Sequence, residues 1–409
     1  MRKAMAPLLL TILAVFSAQQ LLTPVLPPLA RELELTEPQL GLMITAAAGS
    51  LTLVSPLWGR AMGRLGLRTV LTLGLGLAVA GLAGFAVTVA AGLHGLIPAP
   101  VTFALMLLTR SVVFGIGLAA LPVAALTVAG LVTTGEADRT RATGLVGAAQ
   151  GLSLVVGPAG GGALAAVSLP LPVYVSPLVC ASLAVWVLPA VRREPAGRRD
   201  GAVEGPRLRL RDARLWPLLA IGFCVFLSLG LVQVVLGFLI ADRFQVDPQA
   251  TAGGVGAALA VAGVVMVGVQ GILVPVLGWR PLRLIRVGAP LAMAAYALLA
   301  VAPGLWLVVV AFAVLGVGLG LCMPGVVAAP GLLVGPERQG AVSGLVNSVI
   351  GTTFVAGPVL STVLYELAPV IPVLAAFGAA TAALALAWLS PAAHHARAAA
   401  RAAKAAATP

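Results

Sequence analysis

Long apolar runs, interrupted by short polar stretches and by Pro/Gly turns, occupy almost the whole chain. A helix needs roughly 20 apolar residues to cross about 30 Å of hydrocarbon. Segments of that kind are Met5 to Pro28, Gln39 to Met62, Thr69 to Ala91, Pro100 to Ala125, Thr143 to Val167 and Leu171 to Val191, then Leu215 to Ala241, Ala250 to Leu277, Leu284 to Ala302, Leu305 to Leu333, Gly340 to Leu364 and Val370 to Leu389. They predict spans one to twelve of an all-α membrane protein. No charge lies between Arg68 and Arg110, between Arg141 and Arg192, or between Arg286 and Glu337. The last two stretches are long enough for two spans each, and Leu169-Pro170-Leu171-Pro172 and Pro303-Gly304 supply the turns that divide them.

Composition sharpens this. Of 409 residues, 25 are Lys or Arg and 13 are Asp or Glu, so 9% are charged while 60% are apolar. Mean hydropathy is +1.08. Soluble domains carry about 25% charged residues to cover their surface, so a soluble enzyme is excluded. Cys180, Cys224 and Cys322 sit inside apolar runs without a CxxC or Cys/His spacing, which implies neither a disulfide framework nor a zinc site. Met1 to Ala30 has a basic start and a long apolar stretch but no small-residue cleavage site before Pro24 and Pro27, and is read as a retained first span. Lysine occurs only at Lys3 and Lys404, the other basic residues being arginine; with abundant Ala, Gly and Leu this points to a GC-rich bacterial genome, hence a bacterial inner membrane.

An even span count puts both termini on one side, and Lys and Arg accumulate in short cytoplasmic loops. On this topology the inner side holds Arg2, Lys3, Arg60, Arg64, Arg68, Arg139, Arg141, the arginines from Arg192 to Arg214, Arg280, Arg283, Arg286, Arg338, Arg397, Arg401 and Lys404. Arg31 and Arg243 fall outside, and Arg110 falls within span four. Both termini are therefore expected in the cytoplasm. The formal +12 charge then reads as an inner-face topogenic signal and not as a nucleic-acid footprint. A lipid-binding role for the polybasic Arg192 to Arg214 stretch is the alternative.

That stretch, with Pro195, Gly197, Gly201, Gly205 and Pro206, also reads as a linker between two halves. The expected organisation is an N-terminal six-helix half at 1–191, a cytoplasmic linker at 192–214, a C-terminal six-helix half at 215–391 and a basic cytoplasmic tail at 392–409. A shift of about 200 residues tests it. Gly144-Leu145-Val146 recurs as Gly344-Leu345-Val346, Gly151 as Gly351, Val155 as Val355, and Gly157-Pro158 as Gly357-Pro358. Gly115-Ile116-Gly117-Leu118 of span four is answered by Gly316-Val317-Gly318-Leu319 of span ten. Paired six-helix repeats are the construction of many secondary transporters, with substrate near the midplane between the repeats. Duplication in a membrane enzyme or scaffold is the bland alternative.

Three segments resemble the major facilitator superfamily, in particular its twelve-helix, drug-exporter-like branch. Gly59-Arg60-Ala61-Met62-Gly63-Arg64-Leu65-Gly66-Leu67-Arg68 is similar to the family's signature loop between spans two and three, matching at Gly59, Arg64, Gly66 and Arg68. Gly63 stands where the family has an aspartate that latches the cytoplasmic side. The second-half counterpart keeps Gly271, Gly278 and Arg280, again without an acid. Gly144, Ser153, Gly157-Pro158 and Gly161-Gly162 resemble the exporter pattern of span five. Small residues let helices approach and Pro158 bends the helix, so a gating seam and plain close packing are both open. Pro24-Val25-Leu26-Pro27 resembles a pattern of the twelve-helix branch. The resemblance implies a secondary active transporter working by alternating access, with an exporter's gating helix and proton-coupled antiport.

Arg110 is the charge placed well inside a span, and a buried arginine costs about 2.5–3.5 kcal/mol on insertion scales. It is expected to face the bundle interior, either lining the cavity or bonded to carbonyls and Gln side chains. The family often places an arginine here with glycines four and six residues later; Gly115 and Gly117 come one residue late. Gln19, Gln20, Gln150, Gln233 and Asn347 offer neutral amides to substrate or to neighbouring helices. Phe16, Phe114, Phe226 and Phe238 offer aromatic walls or packing. No Asp, Glu or His lies near the midplane of any predicted span, which leaves Asp242 and Glu366, at the outer ends of spans seven and eleven, as coupling candidates. No catalytic constellation, phosphate loop or metal cluster is present, so neither an enzyme nor a cofactor is expected. The partners expected are a small-molecule substrate, membrane lipid and the proton, without nucleic acid, for a monomer. The reading is export of a small organic compound. The alternatives are a facilitator or importer of a polar or anionic metabolite, favoured by Arg110, and a non-transporting membrane sensor or assembly partner.

Overall fold

The computed structural model describes residues 2–132, 136–190, 215–331, 333 and 339–389. The predicted linker 192–214, the tail 392–409, Arg338, and the side chains of Arg139 and Arg141 lie outside the described residues. Among the described residues the chain is helical without a strand, and the predicted spans fall on helical segments, spans two and three on a single run.

Span one is Arg2–Leu21 followed by Leu26–Glu32, bent by 42° across Pro24. Spans two and three form one 57-residue run, Glu37–Leu93, interrupted at Gly66, whose φ of 77° and ψ of 164° only glycine adopts without strain. Span four is Ala99–Met106, a π-helical turn at Leu107–Val113, and Phe114–Val132. Spans five and six are Glu136–Ala165 and Leu171–Ala190. Span seven is Trp216–Gln233, followed beyond its end by the short helix Leu236–Phe244; span eight is Pro248–Gly268, a π turn at Val269–Leu273, and Val274–Leu277. Spans nine to twelve are Pro281–Ala300, Leu305–Gly331, Gln339–Leu367 and Ile371–Leu389. Among the described residues nine helical runs are long and apolar enough to cross a membrane, ten with the bent pair, and Glu37–Leu93 counts once although it holds two predicted spans.

The surface needs lipid. Leu53, Val87, Val185 and Val276 are 69–78% exposed, an arrangement stable only where hydrocarbon replaces water. Aromatic and basic side chains gather at helix ends: the Arg283 guanidinium lies 4.2 Å from the Trp279 ring centre, and that of Arg286 lies 4.5 Å from Trp388 while donating to the Ala387 carbonyl. Such pairs anchor helices at a membrane–water interface.

Packing divides the chain into two compact units: Met1–Ala202 with Val234–Gly263 and Pro358–Glu366, and Val203–Gln233 with Val264–Gly357 and Leu367–Pro409. This partition follows contacts, whereas the predicted halves follow the repeat. It differs because parts of spans seven, eight and eleven pack on the helices of the first half.

The sequence repeat has a counterpart in helix packing. In the first unit a Cβ on Gly117 of span four would lie 2.6 Å from the Ala78 nitrogen and the Gly74 oxygen of span three. In the second unit a Cβ on Gly318 of span ten would lie 2.6 Å from the Ala292 nitrogen and 2.8 Å from the Gly288 oxygen of span nine. Gly157 of span five meets Ser17 and Gln20 of span one, and Gly357 of span eleven meets Gly230 of span seven. Between lipid-soluble helices the attraction comes from such backbone approach. Gly117→Ala and Gly318→Ala should each destabilise the protein by about 1–3 kcal/mol through overpacking. Gly151→Ala and Gly351→Ala, where nothing lies within 4 Å of the new methyl, should be neutral or slightly stabilising. Thermal unfolding in detergent reads the difference.

Candidate functional site

Two arginines carry the polar chemistry of the first unit. Arg110 is 4% exposed, and its Nε and Nη1 have no hydrogen-bond partner among the described residues. Its segment is held on both sides: Ser111 Oγ donates to the Met43 carbonyl at 2.6 Å, and a Cβ on Gly81 of span three would meet the Phe114 nitrogen at 2.5 Å. The π turn at Leu107–Val113 also accounts for the late glycines. An i→i+5 turn takes one residue more than an α-turn. Gly115 and Gly117 are thereby carried back toward the face that spacings of four and six would occupy in an α-helix.

The second arginine, Arg31, ends the helix Leu26–Glu32, where a cation is favoured by the helix dipole. Thr36 then starts the next helix through a reciprocal capping box with Gln39 and places Glu37 in its first turn. Arg31 Nη1 donates to Asp242 Oδ1 at 2.5 Å and Nη2 to Asp242 Oδ2 at 2.8 Å, a two-pronged pairing; Nη2 also donates to Glu37 Oε1 at 3.2 Å. The Tyr365 hydroxyl donates to Asp242 Oδ2 at 2.5 Å. Phe238 floors the cluster, its ring centre 5.0 Å from the Arg31 guanidinium and 5.8 Å from the Tyr365 ring. Burial pushes the Asp242 carboxyl, just past the predicted end of span seven, upward. The bonds from Arg31 and Tyr365 outweigh that and hold it below the usual carboxylate range.

The remaining candidates scatter. Gln20 packs on Gly157, Gln19 and Phe16 are half-buried on the same span, and Phe114 is fully buried. Gln150 is half-buried and its carbonyl accepts the hydroxyl of the buried Ser153; Gly157, Pro158 and Gly161 are buried, with Gly161 against Leu21. The surroundings of Gly144 lie outside the described residues. In the second unit Gln233 and Phe226 are half-buried and Asn347 is exposed. Glu366 is exposed, with no ion pair among the described residues. In the signature loop Gly66 makes the break between spans two and three, Arg64 is exposed and Arg68 half-buried. A Cβ on Gly59 or Gly63 would meet nothing within 4 Å, so crowding does not explain the missing acid at Gly63. The apolar pocket between Leu219, Gly222, Val326 and Val346 contains none of the polar candidates. Asp242 and Phe238 were legible as separate candidates; Arg31, Glu37 and Tyr365 were not, because each reads as an ordinary helix-end residue until spans one, two, seven and eleven converge.

Repeated packing of apolar helices, with rare charges held inside or at helix ends, defines a multi-pass membrane protein. The chain belongs to the major facilitator superfamily, whose family profile matches residues 8–349. It is 31% identical over 360 residues to the tetracycline resistance protein, class G, of Vibrio anguillarum, across 85% of this chain and 86% of that protein. Its fold is similar to that of the human organic anion transporter MFSD10 (TETRAN), with a TM-score of 0.62, 19% identity, and 94% and 99% of the two chains covered. It is also similar to a bacterial homologue of the iron transporter ferroportin in an inward-facing state, with a TM-score of 0.69, 17% identity, and coverage of 95% and 98%.

Because the folded-state value of Asp242 is depressed, its stabilising contribution is complete above the ordinary carboxylate range, near pH 4, and is lost as pH falls through the lower value. Asp242→Asn should therefore cost about 1 kcal/mol between pH 6 and 8. The gap to wild type should narrow as unfolding is measured at pH 4 and below.

Proposed function

We propose that the protein exports a small amphipathic organic compound across the bacterial inner membrane by alternating access, with both termini cytoplasmic and the Arg31 cluster facing outward. The observation that carries this is the relative of 31% identity named for tetracycline resistance, aligned over 85% of this chain. A multi-pass facilitator-type protein confers resistance most directly by removing the compound. The repeat-related six-helix halves, 1–191 and 215–391, are the moving parts, and the Gly157-Pro158 seam of span five is the gating helix. Arg110 presents two unpaired donors from within span four and serves the transported compound or the coupling step. Coupling is to the proton gradient through Asp242 or Glu366, loaded from outside. A second reading, a facilitator or importer of an anionic metabolite, is favoured by the same unpaired guanidinium. Transport, not catalysis, is the activity under both.

Inside-out vesicles with an acidified lumen, offered tetracycline and a panel of cationic and anionic compounds, test this. Accumulation driven by the gradient is expected, with Arg110→Gln lowering its rate about tenfold or more, the scale of losing a charged hydrogen bond. A loss confined to anions would favour the second reading. No accumulation of any compound would defeat both. A pH dependence that survives in Asp242→Asn and in Glu366→Gln alike would remove the coupling assignment.

A further inference from the structure

Arg31 is shared by two carboxylates that are attached to the protein differently. Glu37 lies six residues away on the same turn, fixed to Arg31 by the short connection through Leu33, the left-handed Glu34 (φ 56°) and the Thr36–Gln39 capping box. Asp242 and Tyr365 arrive from spans seven and eleven, and only side-chain and helix packing keeps them there. That packing is close. A Cβ on Gly237 would lie 2.6 Å from the Pro27 ring, one on Gly41 would strike Thr362, and one on Gly162 would lie 2.9 Å from the Gly256 Cα. Spans one and seven, two and eleven, and five and eight thus approach at the level of the backbone within the first unit. Spans five and eight meet glycine on glycine, while at the other two contacts the Pro27 ring and the Thr362 side chain lie over a bare glycine; with no side chain on one face of each contact, they can part without unthreading.

Alternating access, on which this inference rests, requires these ends to separate when the outer side opens. Breaking a lone ion pair at that point would strand a partly buried cation on one side and a carboxylate on the other. We propose that Arg31 and Asp242 are the outer latch of the transport cycle, and that Arg31 passes from Asp242 to Glu37 as the latch opens. Nη2 already reaches both acceptors, at 2.8 Å for Asp242 and 3.2 Å for Glu37, so the transfer is a small rotation of the guanidinium. Asp242 departs together with Tyr365, whose hydroxyl stays on its Oδ2. Each separating surface therefore keeps a partner for its charge: Glu37 for Arg31, Tyr365 for Asp242. Glu37 competes with Asp242 for one guanidinium and so favours the open state, although in the closed structure it looks like one more stabilising contact.

The two acids must then act in opposite directions, which a merely structural cluster would not produce. Spin labels at Leu96→Cys and Gln249→Cys, both exposed on the Arg31 side, report the opening by pulsed electron–electron distance measurement in the full-length protein in liposomes, with Cys180, Cys224 and Cys322 replaced and no substrate added. Asp242→Asn should raise the ratio of long to short distances about three- to fivefold, and Glu37→Gln should lower it about twofold, the range measured for partly exposed charge pairs. Should Asp242→Asn not yield folded protein, Arg31→Gln is expected to shift the ratio in the same direction. If Glu37→Gln opens the outer side as Asp242→Asn does, or if neither moves the distances, the latch is wrong. The shifts in a protein that transports no compound would sink the export reading and leave the latch standing; transport with unmoved distances would sink the latch alone.

Discussion

Hydrocarbon offers the backbone no water to bond to, and the rest of this structure depends on that. Every amide crossing it must be satisfied within its own helix, so the chain can do little except cross as helices. Helices already surrounded by apolar material gain almost nothing by burying more of it, and they associate by coming close enough for backbone atoms to touch. Gly117 against Gly74 and Ala78, and Gly318 against Gly288 and Ala292, are that contact made twice in one chain. The glycine-rich composition, costly in a water-soluble helix, is here the condition for the fold to hold together.

The same medium governs where charge can sit, and the protein places its two notable arginines in contrasting ways. Arg31 stands at a helix end, about a third exposed, and gathers two carboxylates, the second of which also accepts from a tyrosine. Arg110 is buried behind a π turn with two donors unmatched among the described residues. A paired charge at a helix end can bind two moving elements and release them at modest cost. A charge in the membrane interior is rare and costly to insert.

Much of the fold was legible because membrane insertion is nearly a one-dimensional problem. Apolar length located the helical runs, the Leu169-Pro170-Leu171-Pro172 and Pro303-Gly304 breaks fell between helices, and the need for glycine at Gly66 emerged at a break whose φ of 77° excludes side chains. Arg110 was visible as a charge where none belongs. The π turn beside it was not, since Leu107–Val113 has no composition that distinguishes it from an α-helix; a one-residue slip in the glycine register was its only trace. Arg31, Glu37 and Tyr365 were hidden for the opposite reason. Charged and aromatic residues at helix ends are ordinary, and their meaning depends on which other ends they meet.

By itself the sequence determined that the chain is helical, that it crosses a membrane many times and that it repeats, because each of these follows from apolar length and residue spacing along the chain. Its match to the major facilitator superfamily added the class of activity. Tertiary structure alone decided that Asp242, one of two coupling candidates legible in the sequence, is paired with an arginine more than two hundred residues away. The reason is physical: hydrophobic length is a property of consecutive residues, whereas the charge state and use of a carboxylate are set by whatever the fold brings within hydrogen-bonding distance of it.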